Sequence, residues 1–154
     1  MKIMLDTQIY DRLADRPPLI SALNSLQDRT ELSVLSTQIQ EDELAGMKDA
    51  SKAYEVAKLS RERAHTAGGV YGTSKYDTGT YGDGSGSGIS IEDVRSPSKR
   101  HSRDALIATS ASMHADVLVT EDRRLANRLK RLSPRCQLWT FSKLEEWILA
   151  QMAE

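Results

Sequence analysis

Acidic side chains stand at points of this sequence where a parallel α/β sheet would gather them. Two of them come at or just past the ends of short apolar runs typical of buried strands, and two lie near the starts of amphipathic helical runs. They are Asp6, Asp122, Asp104 and Glu43. Parallel strands end at one edge of a sheet, and the helices leaving that edge begin beside it. We therefore expect these carboxylates to meet at the carboxyl edge of the sheet.

Carboxylates crowded at one edge would repel one another unless a cation lies among them or some of them take up protons. Oxygen ligands without a nearby Cys or His select Mg²⁺ or Mn²⁺ rather than zinc. Such ions are suited to phosphate substrates, because they activate a water molecule and stabilise the charge on the leaving oxygen. The acidic set therefore indicates metal-assisted chemistry on a phosphate.

Each acid also has a purely structural explanation. Asp6 and Asp122 could cap the helices that follow them. Asp104 could stabilise a helix dipole, and Glu43 could be a solvated helix position like its acidic neighbours. Four separate structural explanations would be needed for four acids that are expected at one sheet edge, and this favours a functional site.

The elements that must position these acids are short strands alternating with helices. Strands are predicted at 2–5, 32–35, 117–119 and 137–139, each short and mostly apolar. Helices are predicted after Thr7 as a cap, at 19–27 after two prolines, after Ser102 as a cap, at 123–132, and after a capping box that begins at Ser142. Residues 38–63 predict one long helix or two helices broken near Gly46. This alternation indicates a parallel sheet with helices on both faces.

The chain of 154 residues has the length of one domain. Residues 66–90 hold most of its glycines, and we interpret them as a flexible insertion within that domain rather than a linker. The insertion carries Tyr71, Tyr76 and Tyr81, which could stack on nucleic-acid bases; solvated tyrosines on a mobile loop are the favoured interpretation. A further short helical turn is predicted at 89–94.

The formal net charge is −1, but residues 95–135 are rich in arginine and lysine. This region could attract a polyanion, although solvated helix faces explain the charges equally simply. The single Cys136 cannot form an internal disulfide, the apolar start is interrupted at Asp6, and no apolar run is long enough for a membrane span. We expect a cytoplasmic protein with no membrane association.

Three motifs resemble those of the PIN-domain nucleases, especially the small VapC-type toxins of prokaryotic toxin–antitoxin pairs. They are MLDTQIYDRL, IQEDELAG and DALIATSASMHADVLVTEDRRL. The resemblance covers nearly the whole chain apart from the Gly-rich insertion. It implies a three-layer α/β/α PIN-like domain with a short central parallel sheet, spanning residues 1–154.

The resemblance also implies site residues. It identifies an acidic quartet that binds Mg²⁺ or Mn²⁺, namely Asp6, Glu43, Asp104 and Asp122, with Thr120 supporting the site by hydrogen bonding. Glu41 and Asp42 are acidic too; Glu43 is preferred because the Glu-Leu-small pattern fits the motif and because Glu43 shares a helix face with Ile39 and Met47.

The function implied is a metal-dependent endoribonuclease that is the toxin of a VapBC-type pair. Single-stranded or looped RNA is the expected substrate, because its backbone and bases are accessible. An antitoxin protein and a second copy of the chain are expected partners. The residues expected to hold the RNA backbone are Arg100, Arg103, Arg123, Arg124 and Arg128.

Other function classes remain open. One is a non-catalytic RNA- or protein-binding module of the same fold, and another is an RNA-processing nuclease that is not a toxin. A phosphohydrolase with Asp6 as nucleophile would want a second acid two residues later, where this chain has Gln8. A Rossmann or P-loop site is disfavoured, because the Gly-rich segment lacks both phosphate-binding patterns.

Overall fold

The computed structural model describes residues 1–64, 66–67, 79–80, 102–131 and 135–154. The side chains at 66–67, 79–80, 102–106, 108, 128–129 and 131 are outside the description. The predicted helical turn at 89–94, the three tyrosines of the insertion and Arg100 also lie outside the described residues.

A parallel sheet forms the centre of the structure. The strands in chain order are β1 (Lys2–Leu5), β2 (Ser33–Ser36), β3 (Glu62–Arg63), β4 (Thr66–Ala67), β5 (Gly79–Thr80), β6 (Val117–Val119) and β7 (Gln137–Trp139). Five of them form one sheet in the order β3-β2-β1-β6-β7, in which every pairing is parallel. The predicted parallel α/β sheet is confirmed.

The helices described are α1 (Thr7–Ala14), α2 (Pro17–Asp28), α3 (Gln38–Ala45), α4 (Ala50–Ala57), α5 (Ser102–His114), α6 (Arg123–Arg131) and α7 (Phe141–Ala153). Of the two alternatives for residues 38–63, two separate helices are therefore observed. The two-residue strand β3 after them was not predicted, because its residues Glu62 and Arg63 are charged and exposed. An exposed edge strand carries no apolar signal.

The sheet separates two hydrophobic cores, as a three-layer fold requires. Successive side chains of a strand point to opposite faces. Ile3 and Leu5 of β1 accordingly belong to a core with residues of α1, α2 and α7, whereas Met4 packs with Ile107 and Ala111 of α5. Strand β6 alternates in the same way, with its central residue in the second core. Burial on both faces explains why these strands are continuous apolar runs.

Three predicted caps are wrong in detail. Asp6, rather than Thr7, caps α1, and α5 already includes Ser102 as its first residue. Helix α7 begins at Phe141, and its cap is Thr140, whose side chain accepts a hydrogen bond from the Lys143 amide. The predicted capping box at Ser142 is therefore absent, because the helix starts directly where β7 ends.

The direction of chain connections reverses between β1 and β6. From β1 the chain proceeds outward to β2 and then β3, whereas β6 pairs with the opposite side of β1. In open α/β sheets the loops diverge at such a reversal and leave a crevice outside the carboxyl ends of the two strands, where ligands commonly bind. Asp6 and Thr120 are the residues that directly follow β1 and β6. We call the position outside the carboxyl ends of these two strands, next to Asp6 and Thr120, the β1–β6 crevice.

Part of the Gly-rich segment is described. Strands β4 and β5 pair with each other in parallel as a separate two-stranded sheet, and β4 contacts α5. The rest of residues 66–90 lies outside the described residues, so the flexible insertion stays a prediction. No helix within the described ranges is long and apolar enough to cross a membrane.

Candidate active site at the β1–β6 crevice

Asp6 is held at the carboxyl end of β1 by its backbone. Its amide donates to the Val119 carbonyl of β6 over 2.9 Å, and its carbonyl accepts from the Ile9 amide in the first turn of α1. The residue is only 4% exposed. Asp6 is thus fixed between the two strands at which the chain direction reverses.

The Asp6 carboxylate is more than a helix cap. A capping side chain usually accepts from the second or third amide of its helix, whereas Oδ1 of Asp6 accepts from the first, that of Thr7, at 2.8 Å. Its other oxygen, Oδ2, accepts from the Thr120 hydroxyl at 2.8 Å. One carboxylate oxygen therefore serves the helix and the other is bonded to a neighbouring strand end.

The surroundings raise the pKa of Asp6 above its ordinary value. Burial is the largest cause, and the charges of Asp122 and Glu43 add to it. The hydrogen bonds from Thr120 and Thr7 act in the opposite direction, because they stabilise the ionised form. The net result is a buried carboxylate that resists ionisation and lies within electrostatic range of two other carboxylates.

Thr120 links Asp6 to Asp122. Its hydroxyl donates to Asp6 and accepts from the Asp122 amide at 3.1 Å. The Asp122 carboxylate caps α6, because Oδ1 accepts from the amides of Arg124 at 3.0 Å and Leu125 at 3.1 Å. The capping explanation for Asp122 is thus correct, and this role also fixes the carboxylate beside the crevice. The hydrogen bond expected of Thr120 is present.

Glu43 reaches the same region from α3. Its Oε2 accepts from the Thr7 hydroxyl at 2.6 Å, and Thr7 directly follows Asp6. The sequence suggested Thr7 only as a helix cap and did not reveal it as a partner for Glu43. A hydroxyl next to the first acid was the available signal, but its partner is distant in the chain.

The structure separates Glu43 from Glu41. The Glu41 carboxylate binds Arg61 at 2.8 Å and 3.2 Å, and it accepts a hydrogen bond from Ser36 at 2.6 Å. Burial opposes ionisation of Glu41, but the bonds from Arg61 and Ser36 outweigh it and lower the pKa of Glu41. Glu41 is committed to an ion pair, whereas Glu43 lies beside the acid that follows β1.

The fourth acid, Asp104, lies in the first turn of α5, and its side chain is outside the description. Helix α5 contacts β1, which directly precedes Asp6, and it also contacts α3, which carries Glu43. Because α5 leads into β6 and so runs back across the sheet, its first turn lies toward the carboxyl edge. The backbone thus brings Asp104 to the expected edge.

The arginines expected to bind RNA are only partly described. Arg123 and Arg124 are exposed in the first turn of α6, immediately after Asp122. The side chains of Arg103 and Arg128 are outside the description, although both residues lie in helices. The basic start of α6 therefore adjoins the acidic crevice.

The donor chemistry of the crevice fits a hard divalent cation. The acids named above offer carboxylate oxygens, and the buried Asp6 would ionise more readily beside a positive charge. Among the described side chains, however, no group of three or more His, Cys, Asp or Glu residues is arranged closely enough to hold a metal ion. The Asp104 side chain is not one of those described.

No family model, curated protein or solved structure matches this chain.

Proposed function

We propose that this protein is a Mg²⁺- or Mn²⁺-dependent endoribonuclease of the PIN-domain type, which hydrolyses phosphodiester bonds in RNA. The observation that carries the proposal is the buried Asp6 at the β1–β6 crevice, whose pKa is raised by burial and by the charges of Asp122 and Glu43. Burial of an ionised carboxylate opposes folding, and a carboxylate whose pKa is shifted by burial and by neighbouring charges is a candidate for a functional site.

In this proposal the chain supplies the ligands and the orientation. Asp6 and Asp122, with Glu43 and Asp104, would hold the ion or ions. A bound divalent cation would supply an activated water and offset the charge that builds up on the phosphoryl and leaving oxygens. Thr120 would keep the Asp6 carboxylate turned toward the crevice through its 2.8 Å hydrogen bond.

The basic residues would bind the RNA. Arg123 and Arg124, exposed beside Asp122, would contact phosphates on either side of the scissile bond. Arg100, Arg103 and Arg128 would extend this surface. Backbone contacts of this kind carry no sequence information, so target choice would depend on RNA shape and accessible bases.

The assignment of the protein as a toxin rests on the resemblance of its motifs to the VapC-type toxins. By that resemblance the protein would be the toxin of a VapBC-type pair, held inactive by an antitoxin protein, and would form a homodimer in the cytoplasm. A nuclease of the same site that processes RNA without being a toxin is the nearest alternative. Expression with and without a small protein encoded beside it would distinguish a toxin from an RNA-processing nuclease. Cells that express a toxin would need the small protein in order to grow.

The test is cleavage of a mixed pool of single-stranded RNA by purified protein in Mg²⁺, in Mn²⁺ and in EDTA. Asp6→Asn and Asp104→Asn are assayed in parallel, with Asp28→Asn at the exposed end of α2 as the matched control. We expect cleavage that requires metal, survives in the control and vanishes in the two site variants. Cleavage that persists in EDTA and in both site variants would overturn the mechanism.

A non-catalytic RNA- or protein-binding module is the second candidate. The observation that favours it is that the described acids do not form a three-ligand cluster, and that Oδ1 of Asp122 is occupied in capping α6. RNA binding without cleavage in either metal, retained or strengthened in Asp6→Asn, would support this alternative.

A further inference from the structure

Gln40 is a fully buried polar residue at the start of α3. Its Nε2 donates to the Leu5 carbonyl, and its Oε1 accepts from the Thr37 amide at 3.1 Å. The backbone amide of Gln40 in turn donates to the Thr37 hydroxyl at 3.3 Å. The Thr37–Gln40 pair is a capping box, but one of its side chains also reaches out of the helix to β1.

The contact with Leu5 matters because of the peptide group it holds. In a trans peptide the carbonyl and the following amide point in opposite directions. The Leu5 carbonyl faces α3 and binds Gln40, while the Asp6 amide faces β6 and donates to the Val119 carbonyl at 2.9 Å. The peptide that joins Leu5 to Asp6 is therefore bonded on both sides.

Gln40 takes the place of a strand residue. Strand β2 pairs with β1 as far as Met4, and β2 ends at Ser36. Beyond that point the side-chain amide of Gln40 supplies the donor that a longer β2 would have offered to the Leu5 carbonyl. A buried carbonyl without such a donor would be unfavourable.

The same side chain couples two acids of the crevice. Gln40 lies three residues before Glu43 on α3, and the carbonyl that it binds directly precedes Asp6. We propose that Gln40 is a positioning residue of the acidic site, which sets the separation of Asp6 and Glu43 by fastening α3 to the end of β1. This inference rests on the proposed metal-dependent function.

The test compares Gln40→Met with Gln38→Met. Met keeps the length of the side chain but can neither donate to the Leu5 carbonyl nor accept from Thr37. Gln38 lies on the same helix, but its amide binds Asp42 at 2.8 Å and Arg63 rather than β1. The control therefore removes an equivalent amide from α3 without touching the Leu5–Asp6 peptide.

Three measurements are made on the full chain: Mn²⁺ affinity, kcat and KM for RNA cleavage, and hydrogen exchange of the Asp6 amide. For Gln40→Met we expect roughly tenfold weaker Mn²⁺ binding and a similarly lower kcat, the size common for residues that hold metal ligands in place. KM should change little, because the RNA-binding arginines are elsewhere. The Asp6 amide should exchange at least about tenfold faster, since local opening is easier without the Gln40 bond. Gln38→Met should leave all of these unchanged.

The outcomes separate the two proposals. Wild-type protein that neither binds Mn²⁺ nor cleaves RNA would refute the proposed function and, with it, the positioning role. An active wild type with unchanged Mn²⁺ affinity, kcat and Asp6 exchange in Gln40→Met would refute the positioning role alone. Lower stability of Gln40→Met with wild-type Mn²⁺ affinity and kcat would likewise reduce Gln40 to a structural residue.

Discussion

Thr120 donates its hydroxyl proton to Oδ2 of Asp6 across 2.8 Å, and this bond joins the ends of two adjacent parallel strands. The residues are 114 positions apart in the chain. Both are 4% exposed, so the bond is shielded from water. It gives Asp6 a partner at the end of β6 in addition to the Thr7 amide in the first turn of α1.

Removing the Asp6 charge should abolish activity and stabilise the fold. Asp6→Asn keeps the size of the side chain and can still bond Thr7 and Thr120, but it carries no buried charge. We expect loss of RNA cleavage together with a free energy of unfolding higher by roughly 0.5–2 kcal/mol near neutral pH. Urea unfolding and the cleavage assay are the measurements. A variant that is both inactive and less stable than wild type would count against the charge as the destabilising feature.

The stability gain of Asp6→Asn should depend on pH. Burial and the charges of Asp122 and Glu43 raise the folded-state pKa of Asp6 above its ordinary value of 3.8. An acid with a raised pKa contributes stability below its unfolded-state value, and this contribution is lost as the pH rises through the folded-state pKa. The gap between variant and wild type in metal-free buffer should therefore be small at pH values below the ordinary pKa of 3.8, widen as the pH rises through the folded-state pKa of Asp6, and then stay constant. A gap that is constant over this whole pH range would contradict this assignment.

Glu43 and Glu41 form a matched pair of tests on one helix. Glu43→Gln should abolish or strongly reduce metal-dependent cleavage with little change in stability, because the side-chain oxygen of Gln can still accept from the Thr7 hydroxyl. Glu41→Gln should weaken the bonds to Arg61 and lower the free energy of unfolding by about 1–3 kcal/mol, while cleavage is retained at temperatures where the variant is folded. Cleavage assays and urea unfolding of both variants provide the comparison. Loss of cleavage in Glu41→Gln but not in Glu43→Gln would reverse the assignment of the acidic ligand.

Thr120→Val should remove the hydroxyl that links Asp6 to the Asp122 amide. Valine has nearly the same shape but leaves the Asp6 oxygen and the Asp122 amide without their common partner. We expect a loss of about 1–3 kcal/mol in stability and a drop in Mn²⁺ affinity of roughly 10–100-fold. Ser112→Ala, which deletes another buried hydroxyl that bonds within α5, controls for the general cost of such a deletion. Equal Mn²⁺ affinity in the two variants would argue against a role for Thr120 in the site.

Arg123 and Arg124 should contribute to the affinity of the protein for RNA without affecting which RNA sequences it prefers. Replacing either by Ala should weaken binding of single-stranded RNAs of different sequence to a similar degree. The slope of log affinity against log salt should fall by about 0.7 for each phosphate that the variant no longer neutralises. Arg29→Ala, at an exposed position after α2, is the control and should leave the slope unchanged. A change restricted to one RNA sequence would indicate base recognition instead.

Local sequence patterns predicted much of the fold. The apolar runs of β1 and β6 are buried strands, because a strand covered on both faces needs an uninterrupted apolar run. Strand β7 was also predicted, although only its last residue, Trp139, is buried. The paired prolines begin α2, where a missing amide is harmless. The same patterns did not reveal β3, since two charged edge residues carry no periodic signal.

The acids themselves were also visible in the sequence, because their spacing after strands is a local property. Which partners these acids contact is decided by the tertiary structure. The order β3-β2-β1-β6-β7 brings Asp6 beside Thr120, and the Arg61 ion pair removes Glu41 from the choice between neighbouring acids. These partners lie between 20 and 114 residues apart. Sequence alone therefore determined the residue types and the elements that carry them, whereas only the packing of strands and helices decided their partners, because hydrogen bonds and charges act through distances in space.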